Sequence, residues 1–212
     1  MKVKFLFILI TLFSMYAAPM GTLRALLSNR GFPDYKGFFM EYHYFNYADI
    51  EKYYTDNNSI NILFDLGIIH QDTPYLWGGN SWELGIDCSH FAWKAMNEAG
   101  LYYSNYLTTE DLKNIKDTNG LVEVKKEDLA PGDLLVYGYY SGNDEWIGHV
   151  VILVDSDFKG TTYNGLVLGS QNGEGVSFIS YAGFPSYYRV FWMKLRKILR
   201  IKSLTRHDFK NL

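Results

Sequence analysis

Apolar and polar positions change period once along this chain, from helical spacing in an earlier stretch to strand-like runs in a later one. Between positions 59 and 69, Ile60, Leu63, Phe64 and Gly67 recur at helical spacing, with Ser59 placed to cap the start. A stronger stripe follows over 88–99, where Phe91, Ala92, Ala95, Met96 and Ala99 share one face. Asp87 precedes that stripe as an N-cap candidate, and Gly100 follows it where a C-terminal cap belongs. Another helix is predicted over 109–115, capped by Thr108 or Thr109. After Pro131 and Gly132 come the runs 133–140, 147–155, 165–170, 175–180 and 188–195, separated by S-G-N-D, D-F-K-G, Q-N-G-E-G and A-G-F-P. Helices first and strands afterwards predict the α+β class, with helices packed on one face of a central antiparallel sheet of about five strands.

The remaining segments keep neither period. The aromatic stretch G-F-P-D-Y-K-G-F-F-M-E-Y-H-Y-F-N-Y reads as an extension that wraps or positions the domain. At the start, Lys2 and Lys4 precede an apolar run over 5–15 and then Ala17 and Ala18, which is the order of a secretory signal. The run is shorter than the roughly 20 residues that span a bilayer. Tyr16 and Pro19 fit a cut after Ala18 poorly. Residues 1–18 are therefore expected to be a signal peptide or an uncleaved anchor that holds the chain at a membrane. Either way the protein is expected to be exported, to the periplasm, the cell envelope or beyond. The division that follows is 1–18, an extension over 19–58, one domain over 59–195 and a tail over 196–212.

Composition narrows the partners. A net charge of −3 and a pI near 5.9 provide no global field for nucleic acid or an anionic membrane. Lys194, Arg196, Lys197, Arg200, Lys202 and Arg206 gather near the end, as a solvated tail or as an adhesive for an anionic envelope polymer. The 18 Tyr, 14 Phe and 5 Trp are absorbed mostly by core and half-exposed strand positions. With a single cysteine, no intramolecular disulfide is possible, so an exported chain of this kind must be held by burial.

That cysteine, Cys88, stands at the predicted first turn of a helix. There the dipole and free N–H groups favour a thiolate, lower its pKa and later serve as oxyanion donors. The competing reading is a small buried packing residue. His149 opens the apolar run G-H-V-V-I-L-V, from which an imidazole can reach a neighbouring helix start, and a Cys/His pair is what thiol hydrolases need. His43, His70, His90 and His207 make no metal-ligand spacing, so neither a metal nor a cofactor is expected. His90, two residues from the thiol, is expected to point away from it. The segment D-S-D-F-K-G lacks the late glutamate of a calcium loop and reads as a hairpin turn. Gly78 and Gly79 lack the G-K-S or G-K-T of a phosphate loop.

The ordered motifs T-P-Y-L-W-G-G, G-I-D-C-S-H-F, L-A-P-G-D-L-L-V-Y and G-H-V-V-I-L-V together resemble the NlpC-type (NlpC/P-sixty) cell-wall peptidases. These are papain-like cysteine hydrolases of bacteria and their phages. The resemblance implies a papain-like fold with the nucleophile at a helix start. It also implies cleavage of amide bonds in peptidoglycan stem peptides, often between D-glutamate and a diamino acid. Carried onto this chain, it makes Cys88 the nucleophile and His149 the base. It sets Tyr75 beside the site, Asp87 and Ser89 at the cleft, and Asp133 in a structural role. Members orient the imidazole with a third polar residue, often His, Asn or Gln, on the following strand. Here that strand has no histidine; Gln171 is the first choice, with Ser170 and Asn172 as alternatives. A shift of one residue in a strand reverses the face. Other readings keep the dyad but change the substrate (an amidase, a transferase or an effector hydrolase), or make the domain a wall-binding module with a silent thiol.

Overall fold

A computed structural model describes residues 40–43, 45–103, 105–116, 120–157, 164–182, 187–188 and 193–204. In chain order these form β1 (Met40–His43), α1 (Tyr47–Ile50), α2 (Asn58–Ile69), β2 (Asn80–Ser81), β3 (Gly85–Ile86), α3 (Cys88–Glu98) and α4 (Thr109–Asn114). There follow β4 (Leu121–Glu123), β5 (Leu134–Tyr140), β6 (Trp146–Asp157), β7 (Asn164–Gln171), β8 (Gly175–Ala182), β9 (Tyr187–Tyr188) and β10 (Met193–Ile201). The helix starts are set by short polar side chains. Asn57, rather than Ser59, caps α2 by accepting the N–H groups of Ser59 and Ile60. Asp87 caps α3 as predicted, accepting the His90 N–H at 2.8 Å. Thr108, rather than Thr109, caps α4 in a reciprocal box with Asp111.

The long strands pair antiparallel with their neighbours, in the order β1-β8-β7-β6-β5-β10-β4, with β9 added beside β10. Among the described residues this makes eight strands instead of about five. The additional ones, β1, β4 and β9, are four, three and two residues long, too short to leave an alternation in the sequence. β1 and α1 both come from the stretch read as an aperiodic extension. Helices cover one face, where Val136, Val150, Ile152, Leu168 and Phe178 meet Leu63, Phe64, Phe91 and Met96. Leu135, Tyr137, Val151, Leu153, Val167 and Ile179 form a second buried cluster on the opposite face. Burial on both faces is why β5 to β7 read as continuous apolar runs.

The expected basic tail is corrected by β10, which carries the sheet through 196–201. Arg200 lies 8% exposed and grips the fully buried Asp133 with two bonds, Nε to Oδ1 at 2.7 Å and Nη2 to Oδ2 at 2.8 Å. Asp133 also accepts the Ala130 N–H at 2.9 Å, so it is structural, as the sequence implied. Arg196 Nε donates to the Gly138 carbonyl at 2.8 Å, where β10 shifts register against β5. Lys197 donates to the Ile115 carbonyl at 2.6 Å and lies 3.2 Å from Glu123. Arg200 and Lys197 thus tie β10 to neighbouring segments, while Lys194, Arg196 and Lys202 are exposed. The expected signal or anchor over 1–18, residues 158–160 of the expected D-S-D-F-K-G hairpin turn and residues 205–212 lie outside the described residues. Among the described residues, no helix is long and apolar enough to cross a membrane.

Removing only the cation of the buried pair leaves a carboxylate in the core. Arg200→Met is expected to lower stability by about 3–5 kcal/mol, read from urea midpoints. The double variant Arg200→Met with Asp133→Leu should recover most of that loss.

Candidate active site

The loop before the cysteine is stitched to the sheet by backbone bonds. Thr73 O accepts from Val176 N at 3.0 Å, Pro74 O from Ile86 N at 3.0 Å, and Gly79 O from Asp87 N at 3.0 Å. Tyr75 pairs with Ile86 in a parallel bridge, and Ser170 Oγ donates to Ile86 O at 2.7 Å. The T-P-Y-L-W-G-G turn is thereby pinned beside the first turn of α3.

Cys88 is 5% exposed, and its sulfur receives the backbone N–H of Val150, the residue after His149, together with N–H groups of its own helix start. Burial nevertheless pushes the thiol up to about 12, with the Asp87 charge adding to the rise. The expected lowering by the helix start is therefore outweighed, because burying a thiolate costs more than a few partial charges return. His149 lies opposite Tyr137 in the β5–β6 ladder and is 7% exposed. Burial lowers its imidazole to about 4, against the raising pull of a side-chain hydrogen bond with Gln171 and of Asp87. Burial thus favours the uncharged form of both thiol and imidazole.

Strand alternation separates the three candidate partners of His149. Ser170 faces the helices and is engaged by Ile86 O; Asn172 is exposed in the turn after β7; Gln171 shares the face of His149 and bonds it. Gly169, two residues before Gln171, leaves space for the amide, since a Cβ there would sit 2.8 Å from Gln171 Nε2.

Asp87 ties the remaining groups together. Its Oδ1 accepts Ser89 Oγ–H at 3.0 Å as well as the His90 N–H, and its Oδ2 lies 3.1 Å from His90 Nδ1. His90, expected to point away from Cys88, turns its ring to Asp87 and stacks on Tyr106 at 3.9 Å. The Tyr106 hydroxyl lies 2.9 Å from Ser89 Oγ, and since Ser89 donates to Asp87, the phenol donates to Ser89. Tyr75 is partly buried near the thiol; burial, then the charges of Cys88 and Asp87, hold its phenol above the ordinary range and therefore protonated. Tyr106 is raised as well, by burial first and also by the charges of Asp87 and Cys88. The structure thus brings Cys88, His149, Gln171, Tyr75, Asp87 and Ser89 into one region and adds His90 and Tyr106. Sequence reasoning missed Tyr106, which lies in no periodic element, and Gly169, although glycine inside a strand is itself a signal of close approach. Among the described residues, no group of three or more His, Cys, Asp or Glu side chains is arranged to hold a metal ion.

Comparison with known proteins points to one family. The model of the NlpC/P60 family matches residues 72–195. A probable endopeptidase of Haemophilus influenzae is 25% identical over 124 residues, 58% of this chain and 66% of the relative, so the chain spans just under two thirds of that protein's length. A solved structure from Staphylococcus aureus, described as similar to a lipoprotein of the NLP/P60 family, aligns with a TM-score of 0.48 at 19% identity, over 69% of this chain and 42% of that one.

The depressed imidazole has a consequence for stability. Above its ordinary value of 6.5, His149 is neutral in both folded and unfolded chains; between 6.5 and about 4 only the unfolded chain takes up the proton. Its contribution is therefore full above 6.5 and is lost as pH falls through that window. The stability of the wild type relative to His149→Gln should drop by about 2 kcal/mol between pH 7 and pH 5, measured by urea unfolding. A constant difference would mean that the imidazole titrates near its ordinary value.

Proposed function

The chain belongs to the NlpC/P60 family, and from that premise we propose that it is an exported cysteine hydrolase that cuts amide bonds in peptidoglycan stem peptides. One observation carries the reading: the Cys88 sulfur lies under the Val150 N–H, one residue from an imidazole hydrogen-bonded to Gln171. As His149 removes the thiol proton, Cys88 Sγ attacks the scissile carbonyl carbon and the carbonyl oxygen takes the electron pair. N–H groups at the start of α3 and the protonated Tyr75 phenol are the available donors to that oxyanion. Collapse expels the amine, which takes the proton from His149 and leaves a thioester on Cys88. Water then attacks the thioester with His149 as base, releasing the acid and restoring the thiol. Gln171 holds the ring without adding a charge, and Asp87 stabilises the imidazolium formed on the way.

Since burial favours the uncharged forms of both groups, transfer of the thiol proton to His149 accompanies formation of the carbon–sulfur bond. The bond between D-glutamate and a diamino acid is the proposed target. Export rests on the basic, apolar and small-residue order of 1–18.

Digestion of purified muropeptides, with products identified by mass, tests this directly. Cys88→Ala should keep the wild-type circular dichroism and lose fragment release by about a thousandfold or more. Wild-type release by that variant would sink the assignment. Termini produced by a cut between sugar and peptide would transfer the chemistry to the amidase reading.

A further inference from the structure

Between the nucleophile helix and the base strand runs a short connection, residues 106–109, whose two ends are bonded to different sides of the site. At its first end the Tyr106 hydroxyl donates to Ser89 Oγ at 2.9 Å, and Ser89 in turn donates to Asp87 at 3.0 Å. The Tyr106 ring is stacked on His90 at 3.9 Å and meets Trp93 edge-on at 6.2 Å, so it is clamped along the first turns of α3. At its other end Thr109 Oγ1 accepts the indole N–H of Trp146 at 3.2 Å. That bond lies directly on Gly148, the residue before His149. A Cβ at Gly148 would sit 2.3 Å from Thr109 Oγ1 and 2.3 Å from Trp146 Nε1. Gly138, the partner of Gly148 across the β5–β6 ladder, is pressed by the same indole, with Trp146 Cη2 2.3 Å from where its Cβ would be. Thr108 joins the ends rigidly, since its N–H and hydroxyl both donate to Asp111 Oδ2, at 2.9 and 2.7 Å.

We propose that residues 106–109 form a strap that sets the relative position of Cys88 and His149, with Tyr106 and Thr109 as positioning residues at the nucleophile and base ends. This rests on the hydrolase reading above. Docking α4 on the sheet would need only apolar contact, and Leu112 already supplies it. Here each end instead makes a directional hydrogen bond beside one member of the dyad. The base end also places two glycines inside a sheet, where glycine is ordinarily unfavourable. Such precision matters for a proton transfer coupled to attack, because a misplacement of about 1 Å can lower a rate about a hundredfold.

Thr109→Val removes the acceptor while keeping the shape, Thr109→Ser keeps it, and Tyr106→Phe cuts the other end. With muropeptide substrate, Thr109→Val and Tyr106→Phe are each expected to lower kcat about tenfold with KM within about twofold, while Thr109→Ser stays within about twofold of wild type. The second measurement is the pH dependence of Cys88 alkylation by iodoacetamide, with His149→Ala as the reference for a thiol without its base. Thr109→Val and Tyr106→Phe should shift the wild-type profile towards that reference, and Thr109→Ser should not. Since the two variants cut opposite ends, failure of one to fold leaves the other to decide. Wild-type kcat and KM in the folded variants would overturn the strap while leaving the hydrolase assignment standing. If the wild type releases no fragments, the hydrolase reading fails, and the alkylation profile decides the strap: a shift upholds it and an unchanged profile overturns it. A wild-type profile identical to that of His149→Ala overturns it too, because no coupled pair would be there to position.

Discussion

One buried carboxylate organises the surroundings of the thiol. Asp87 opens α3 by accepting the His90 N–H, fixes Ser89 through its hydroxyl and faces the His90 ring. An N-cap of this kind contributes about 1 kcal/mol, and an asparagine would supply nearly the same. The charge does something that an amide would not. It bears on Cys88, Tyr75, Tyr106 and His149 together, opposing ionisation of the thiol and phenols and favouring protonation of the imidazole. The same residue therefore fixes where the helix begins and biases where a proton can reside. Ser89, Tyr106 and His90 are placed relative to it, and through them the connection to α4.

How much of this was legible depended on the range of the interaction. The start of α3 was readable because its cause is local: an extended Asp87, the period of Phe91, Ala92 and Ala95, and a glycine after the stripe. His149 and the run behind it were readable because the strand is buried on both faces. Gln171 could be narrowed only to three neighbours, since its face follows from the pairing of β7 with β6, which the local sequence does not contain. Arg200 looked like part of a tail because its partner, Asp133, lies 67 positions away. Gly148 was visible as a letter, but its reason is the indole of Trp146 under a threonine from another element. β1 escaped because four residues cannot establish a period, and their pairing with β8 spans most of the domain.

On the proposed chemistry, the conflict between helix start and burial gives positioning its weight in this site. A helix N-terminus returns about 0.3–1 kcal/mol to an anion, up to about 2 kcal/mol in a partly buried site. Taking a charged group out of water costs several kcal/mol, and that greater cost raises the Cys88 thiol against the pull of the helix start. A site holding a preformed thiolate would have its nucleophile ready before substrate arrives and could tolerate a loosely placed base. A site whose thiol and imidazole both rest neutral has no such reserve, so on the proposed chemistry the sulfur becomes nucleophilic only while His149 is in line to receive its proton. The imidazole is then held by Gln171 on one side, and its strand is pressed at Gly148 by Thr109 and Trp146 on the other. On that chemistry, loosening His149 would remove reactivity that the thiol alone cannot replace.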